Sequence, residues 1–395
     1  MTGAMYAAIA GLRTHMQNLN VIGNNVANVN TTAYKAGRSV FRTSLYTTQT
    51  GGSDGTATAG GVNPTQIGYG SQMTNVDIDM STGNLNITGQ STDCMLDGDG
   101  FFLVGSKDAI MNFDGSVQQD KQALTALTLT RTGNFNFKAD GYLTDGGGNV
   151  VYGFLCIGTN ELTGDPVFSD QLVPIRFPRV YTAEDGSVKI GYARAGGGVA
   201  EDDSFEFEGQ VQEGNRHILD YGTTSVDVES EYSMAKFTNI VIGEDGTITG
   251  TSQDLGDQVI TIGRIAVGSV TNPNGVTQVG DTYYKAMGGA GELTISAIGG
   301  TSNMKDADGV AITKINQSLR GEDAGDDDEG AATPQDPLRI RDTDTKLISG
   351  GLEMSKTDLA QEIANMILTQ RGYQANTRIV TVTDSMLEEL VNMKR

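Results

Sequence analysis

The opening segment of the chain places apolar residues at helical spacing. Between Met5 and Val26 they fall three and four residues apart, which puts them on one face of a helix. The members of this stripe are Ile9, Leu12, Met16, Leu19 and Val26. Asparagines cluster at its end, and asparagine tolerates a left-handed backbone. We therefore predict a helix that ends or bends at these asparagines.

A second helical stripe closes the sequence, from Leu352 to Val391. Its apolar positions are Leu352, Leu359, Ile363, Met366, Tyr373, Val380, Leu387 and Val391. Polar residues such as Gln370 interrupt it, which would weaken a simple two-stranded coiled coil. Ser355, with Asp358 three positions later, is the predicted N-cap. Because each stripe has little partner surface, we expect paired helices buried in an assembly; two core helices of one globular domain fit the same periodicity.

The middle of the chain has the alternation and the glycine-rich turns of short β strands. Strands are predicted at Met73–Met80, Phe101–Val104, Leu124–Leu129, Phe135–Phe137, Val150–Ile157, Ser204–Phe207, Val226–Val228, Asn239–Ile242, Thr247–Thr249 and Val259–Val270. The predicted fold class is therefore α+β and mostly β, with the N- and C-terminal helices paired as an inner coiled-coil domain.

These patterns suggest that the domains are nested, with the middle of the sequence furthest from the helices. The predicted parts are a terminal helical domain (1–34 and 352–395), a linker or extended region (35–74 and 335–351), an inner β domain (75–153 and 250–334) and an outer β domain (154–249).

Charge is unevenly distributed along the chain. The formal net charge of -22 argues against a nucleic-acid-binding surface. No acidic residue precedes Asp54, so we predict that the first helix is packed against protein. Residues 321–336 contain seven acids and no basic residue. We expect this acidic loop to be solvated, and calcium binding is the weaker alternative because the acids lack alternate-position spacing.

The sequence carries no recognisable catalytic or metal-binding constellation. His15 and His217 are the only histidines, too few for a histidine triad or cluster, and the common nucleophile, zinc and phosphate-loop motifs are missing. We predict no catalytic residue, cofactor or metal. Cys94 and Cys156 are predicted to be buried or free thiols, with a disulfide as the alternative. Neither a membrane-spanning run nor a cleaved secretory signal is recognisable.

The string GNNVANVNTTAYK, residues 23–35, resembles the signature of the bacterial flagellar rod and hook family. Further stretches agree with that family at residues 97–104, 129–153, 262–284 and 349–395. Ala33 stands where the family usually has glycine, so this residue either has an ordinary φ or sits in a remodelled turn. The signature positions are Asn24, Asn25, Ala27, Asn28, Asn30, Thr31, Tyr34 and Lys35.

The resemblance also extends over the closing helix, where it implies contacts between subunits. The candidate assembly residues are Leu352, Leu359, Ile363, Met366, Gln370, Arg371, Tyr373, Ala375, Asn376, Met386, Leu387 and Leu390. Together with the opening stripe they would line the inside of a tube.

The family implies a structural subunit, not an enzyme, in a helical homopolymer of the flagellum. It implies export by the flagellar apparatus to the extracellular side without a cleaved signal. The expected partners are the rod, the hook cap and the hook–filament junction proteins, with no nucleic acid and no membrane span. The long block 154–249 favours the hook, a curved tube that transmits motor torque as a universal joint. A distal rod subunit is the alternative within the family, and a secreted β-rich enzyme or adhesin is the alternative outside it.

Overall fold

The computed structural model of the chain describes residues 2–52, 54–55, 60–107, 126–159, 166–168, 172–182, 188–191, 233–280, 282–298, 340–343 and 345–393. The predicted strands at 204–207 and 226–228 and the acidic loop lie outside the described residues. The chain divides into two compact units. The helical unit comprises Met1–Asp79 with Ser355–Arg395, and the β unit comprises Met80–Met354.

The helical unit combines two long helices with two strand pairs. Its helices are α1 (Thr2–Ala27) and α2 (Leu359–Met393), and its strands are β1 (Gly37–Thr43), β2 (Tyr46–Thr50), β3 (Thr65–Gly68) and β4 (Ser71–Ile78). Strand β1 pairs antiparallel with β4, and β2 pairs antiparallel with β3. Helix α1 also contacts this strand region, since Thr14 Oγ1 donates to the carbonyl of Ser71 at 2.9 Å.

The first helix confirms the prediction, whereas the start of the second corrects it. Helix α1 ends at Ala27, inside the asparagine cluster. Helix α2 begins only at Leu359, and its N-cap is Asp358, whose Oδ1 accepts the backbone N–H groups of Ala360 and Gln361. The predicted cap Ser355 instead accepts from the N–H of Thr357. Seven residues of the predicted helix, including Leu352, are therefore not helical.

The β unit contains the remaining strands. They are β5 (Leu85–Ile87), β6 (Cys94–Asp97), β7 (Phe101–Gly105), β8 (Thr128–Thr130), β9 (Asn136–Phe137), β10 (Leu143–Thr144), β11 (Val150–Thr159), β12 (Pro166–Phe168), β13 (Val173–Pro174), β14 (Arg179–Thr182), β15 (Val188–Gly191), β16 (Ser233–Met234), β17 (Phe237–Ile242), β18 (Thr247–Ser252), β19 (Gln258–Val270), β20 (Thr277–Gly280), β21 (Tyr283–Lys285), β22 (Leu293–Ile298), β23 (Ile340–Thr343), β24 (Lys346–Ser349) and β25 (Gly351–Glu353).

Fourteen of these strands form one sheet, whose main path runs β17-β18-β19-β11-β7-β8-β21-β20. The other six attach to this path, and β22 pairs with β23 in parallel. Strands β15-β14-β16 form a separate sheet, and β24-β6 and β25-β5 are separate antiparallel pairs. The fold is mostly β with paired terminal helices, as predicted.

The core of the β unit lies around β7, β11 and β19. Every residue of β7 is buried, and the ring of Phe102 meets that of Phe135 edge-on at 4.9 Å between centroids. Strands β11 and β19 approach closely because Gly153 has no side chain; a Cβ there would collide with the carbonyl of Arg264. Buried strands of this kind read as continuous apolar runs, which is why they were recognisable in the sequence.

The large sheet includes residues that the sequence pattern assigned to the outer β domain. Strand β11 continues past Phe154, and β17 and β18 lie within the predicted outer block, yet all three belong to this sheet. Strand β24, from the predicted linker, pairs with β6. Strands β12 and β13 pair with β11 in the same sheet, so only β14 to β16 remain as described strands of block 154–249 outside it. The nesting into inner and outer domains stays a prediction.

Candidate assembly site on the paired helices

Helices α1 and α2 run antiparallel along one seam. Four contacts define it, and the residue number rises along α1 as it falls along α2. The contacting pairs are Gly11 with Asn376, His15 with Gly372, Asn18 with Thr369 and Asn25 with Glu362. Steps of four, three and seven residues along one helix match the same steps along the other, which is the spacing of a single helix face.

The four contacts that define the seam involve small and polar residues. A Cβ on Gly11 would lie 2.5 Å from Asn376 Nδ2, and one on Gly372 would lie 2.7 Å from the His15 ring. Further along, Asn18 Nδ2 donates to Thr369 Oγ1 at 2.9 Å. Glycine on both helices therefore permits their close approach. The helices pair as predicted, but none of these four contacts uses an apolar stripe residue.

The predicted stripe of α1 is only partly covered. Ile9, Leu12, Leu19 and Val26 are half-buried, whereas Met16 is 53% exposed. Their role in assembly stays a proposal.

The predicted assembly residues of α2 lie mostly at the surface. Leu359, Ile363, Gln370, Arg371, Tyr373, Ala375, Met386 and Leu390 are exposed, whereas Met366, Asn376 and Leu387 are half-buried. Leu352 is a correction: it is a buried residue of β25, paired with Asn86 of β5, and belongs to the β unit. It was assigned to the helix because its spacing from Leu359 fits a heptad.

Exposed apolar side chains follow two flanks of α2. Five further residues, missed by the sequence prediction, add to this surface: Ile367, Leu368, Ile379, Val382 and Met393. At about 100° per residue, Leu359, Ile363 and Ile367 fall on one side of the seam. Ile379, Val382 and Met386 fall on the other side. A sequence search for apolar positions on every face of the helix, and not on one heptad face alone, could have found both flanks.

The C-terminal end of α2 extends past α1. By the register of the seam, Thr2, where α1 begins, lies opposite Ser385. Residues 386–393 then continue for about 12 Å without α1 beside them. Of these, Met386, Leu390, Val391 and Met393 are exposed and apolar. Surface of this kind on a soluble chain marks a site of contact with another molecule.

The Asn25 side chain connects three segments of the helical unit. Its Nδ2 donates to the carbonyl of Gly37 at 2.8 Å and to Glu362 Oε1 at 3.1 Å. Its Oδ1 accepts from the Gly37 N–H at 2.9 Å and from the Tyr34 hydroxyl at 3.1 Å. All four positions of the amide are thus used, and they tie the end of α1 to β1 and to α2. Burial raises the pKa of Tyr34, and the Glu362 carboxylate adds to the effect.

Other signature residues shape the chain after α1. Asn24 Nδ2 donates to the Tyr34 hydroxyl, Asn28 Nδ2 donates to the Asn24 carbonyl, and Thr31 Oγ1 donates to Asn28 Oδ1. The backbone N–H of Lys356 donates to the Tyr34 carbonyl at 3.1 Å, which links the approach to α2 to the same network. Lys35 is buried, while Ala27 and Asn30 are exposed.

Ala33 does not have an ordinary φ, which was one of the two alternatives for this position. It is buried and has a φ of 57°, so it adopts the left-handed backbone that glycine adopts without cost.

Other candidate chemistry is limited in the part of the chain that the structure describes. No group of three or more His, Cys, Asp or Glu side chains there could hold a metal ion. Cys94 and Cys156 are both buried, and neither forms a disulfide, which confirms the thiol interpretation over the disulfide. None of the described helices is long and apolar enough to cross a membrane.

Two family models match the ends of the chain. Residues 5–35 match the family model for the flagella basal body rod protein, and residues 348–393 match that for the C-terminal region of the flagellar basal body rod FlgEFG proteins. These two regions cover α1 with its asparagine network and α2. Both terminal regions of the chain are therefore similar to structural proteins of the flagellar rod and hook class.

Individual relatives come from both branches of this class. The flagellar basal-body rod protein FlgG of Bacillus subtilis is 27% identical, and the flagellar hook protein FlgE of Borreliella burgdorferi is 22% identical, each covering 100% of both chains. The flagellar hook protein FlgE of Treponema pallidum is 24% identical over the same shares. The crystal structure of Helicobacter pylori flagellar hook protein FlgE2 covers 57% of this chain and 98% of its own at 12% identity; its TM-score of 0.29 is too low to support an argument.

Proposed function

We propose that this chain is a subunit of the bacterial flagellar hook and that it polymerises through the helical unit. The observation that carries the proposal is the exposed apolar surface of α2, for example Leu368 at 70% and Val382 at 55% exposure. Similarity to the rod and hook class supplies the context, and several full-length relatives are hook proteins.

The placement of the apolar flanks favours an open polymer. A subunit that meets its neighbours through two different surfaces builds a filament when the rotation between copies does not close. The flank at Leu359 to Ile367 and the flank at Ile379 to Met386 lie on different sides of α2, so they provide two such surfaces.

The energies favour assembly among many neighbours over a simple dimer. Completing the burial of a half-exposed Ile, Leu or Met side chain is worth about 1 kcal/mol, so a flank of three or four is worth roughly 3 to 4 kcal/mol by the same measure. Association costs about 4 to 15 kcal/mol in lost freedom. One flank contact therefore does not hold two copies together, whereas several contacts per subunit do.

The hook is preferred over the distal rod because of the long block 154–249, which in a hook would face outward and slide as the tube bends. In this role the subunit would contact the rod, the hook cap and the hook–filament junction proteins. It would leave the cell through the flagellar export apparatus without a cleaved signal. A distal rod subunit remains the competing function, supported by the full-length match to a rod protein.

The test is assembly of purified chain at high concentration, followed by sedimentation and electron microscopy. Wild type should form tubes. The double variant Ile379→Ser with Val382→Ser should not, because it removes one apolar flank. A matched control, Gln374→Ser with Asn392→Ser, changes two exposed polar residues of α2 and should assemble normally. Tubes from the flank variant, or none from wild type, would contradict the proposal.

Complementation separates the two branches of the class. The gene should restore motility to a strain lacking its hook protein and should fail in a strain lacking its distal rod protein. The reverse result would assign the chain to the rod. Soluble monomers with hydrolytic or adhesive activity would point to the third alternative.

A further inference from the structure

The chain enters and leaves the β unit at neighbouring points. The unit begins at Met80 and ends at Met354, and the first and last of its strands, β5 and β25, pair with each other. The pair is antiparallel, with Leu85 opposite Glu353, so both chain crossings emerge from the same end of it. We call this end the fork.

A pulling force on the fork acts in the direction in which a strand pair resists separation least. Tension on the two crossings would part β5 from β25 from one end, so that the ladder bonds break one after another and never share the load. The pair offers only three residues on each strand. Whatever ties the two crossings together ahead of the ladder therefore decides how much tension the fork withstands.

Two hydrogen bonds tie the crossings at the fork. Glu353 Oε1 accepts the Gly83 N–H at 2.6 Å, and the Met354 N–H donates to the Asn84 carbonyl at 2.8 Å. The approach is so close that a Cβ on Gly83 would collide with the Met354 carbonyl. One of the two ties is a bond to a charged carboxylate, the stronger kind.

The carboxylate of Glu353 is in turn anchored to the core. Its side chain is 0% exposed, and Oε2 lies 3.9 Å from Nη1 of Arg131, whose side chain is 1% exposed. Arg131 Nη2 donates to the Gly98 carbonyl at 2.8 Å, and its guanidinium lies over the Phe101 ring. Glu353 thus connects the fork to β7, the buried strand of the large sheet.

A buried ion pair adds little net stability compared with apolar residues of the same volume. The charges at Arg131 and Glu353 therefore call for an explanation other than equilibrium stability. Their location at the two chain crossings, where tension along the chain reaches the β unit, offers it.

We propose that Glu353 is a mechanical latch, which holds the two chain crossings together and passes tension through Arg131 into the β core. The relevance of tension rests on the proposed function, since a hook subunit transmits torque. The latch itself is a property of the single chain and can be tested without assembly.

The experiment is constant-force pulling on single full-length molecules by tags at both ends. Because the force reaches the β unit through Met80 and Met354, it loads the fork directly. The relevant rupture releases residues 80–354 and is recognised by a contour length of about 900 to 1,000 Å. The measured quantity is the lifetime before that rupture.

Glu353→Ala should shorten this lifetime roughly 10- to 100-fold, the factor expected for losing a buried bond to a charged group. Glu353→Gln keeps an oxygen for the Gly83 N–H but loses the attraction of Arg131, so it should shorten the lifetime by less. If Glu353→Ala does not fold, Glu353→Gln carries the test, and an unchanged lifetime there overturns the proposal.

The matched control is Arg264→Met, which removes another fully buried arginine of the β unit. Arg264 Nε donates to the Asp245 carbonyl at 2.8 Å, and its Nη2 lies 3.9 Å from the Asp245 carboxylate. This contact is on β19 and not at the fork, so the variant should lower the thermal midpoint without shortening the lifetime under force. Equal shortening by the control and by Glu353→Ala would overturn the latch. Failure of wild type to form tubes would overturn the hook proposal and leave the pulling result intact.

Discussion

Replacing Asn25 by aspartate changes a single non-hydrogen atom and should have a large, pH-dependent effect. In Asn25→Asp the oxygen that accepts from Gly37 and Tyr34 remains. The nitrogen that donates to the Gly37 carbonyl and to Glu362 becomes a second oxygen facing two acceptors. Asn25→Ala removes all four bonds but introduces no charge. Comparing the two variants separates lost bonding from added repulsion.

The magnitudes follow from these contacts. Asn25→Ala should cost about 2 to 4 kcal/mol, since the half-buried backbone N–H and carbonyl of Gly37 lose their partner at about 1 to 3 kcal/mol each when fully buried and less when partly exposed. In Asn25→Asp two carboxylates stand about 3 Å apart, which adds roughly 1 kcal/mol in water and roughly 5 kcal/mol at an effective dielectric constant of about 20. Glu362 is half-buried, so we expect an intermediate value and a total loss above that of Asn25→Ala.

The direction of the pH dependence is also fixed. Burial and the neighbouring carboxylate raise the pKa of the introduced carboxyl in the folded state. The folded chain then binds more protons than the unfolded chain, so stability is greatest at low pH and is lost as pH rises through the folded pKa. The penalty of Asn25→Asp relative to Asn25→Ala should therefore shrink between about pH 7 and about pH 4.

Urea unfolding of the full chain, followed by far-ultraviolet circular dichroism, measures the effect, because both long helices of the described residues belong to the helical unit. Asn18→Asp is the control: it places the same group on the seam but loses a single bond, to Thr369, and should cost about 1 kcal/mol. If Asn25→Asp is no worse than Asn25→Ala at neutral pH, or if acidification leaves the gap unchanged, the role assigned to the amide is wrong.

Three further predictions use the same unfolding assay or simple labelling. Ala33→Gly should stabilise the helical unit by about 0.5 to 1 kcal/mol, since relief of the left-handed backbone penalty exceeds the entropy cost of glycine. In comparison, Asn239→Gly, at a φ of 50°, should change stability little because asparagine tolerates this backbone region. Burial raises the pKa of Cys94, so neither it nor the buried Cys156 should react with iodoacetamide until the β unit unfolds; native-state labelling would contradict this. The pKa of Tyr34 is raised, so the contribution of Tyr34 to stability is present below about pH 10 and lost above it. If Tyr34→Phe loses as much helical signal at alkaline pH as the wild-type chain does, that assignment is wrong.

Local pattern was sufficient to predict α1 and most buried strands. The predicted run Val259–Val270 corresponds to β19, Gln258–Val270, because most of this strand is buried on both faces and is therefore rich in apolar residues. The end of α1 was predictable for a different reason, because asparagine side chains form hydrogen bonds with the local backbone and so compete with the helix.

Predictions that depended on distant partners were less successful. Leu352 fits the heptad of α2, but it lies in β25 because β5, far away in sequence, offers backbone partners there. The sequence pattern pointed only to apolar residues for the helix pair and did not reveal the close approaches and hydrogen bonds made there by Gly11, Asn18 and other small or polar residues. Periodicity identifies an apolar face but not which molecule covers it, so surfaces for the same chain and for other copies look alike in sequence.

The separation of the seam partners in sequence also determines when the helical unit can form. Asn18 and Thr369 are 351 residues apart, so at about 5 to 20 residues per second a ribosome completes α2 about 20 to 70 s after α1. During that interval α1 lacks its partner α2 and can contact only the strand region that follows it, as Thr14 contacts Ser71. The helical unit is thus the last part of the subunit to close. Its closure reports that every residue in between has been made, and a chain halted earlier has no seam to offer to a growing tube.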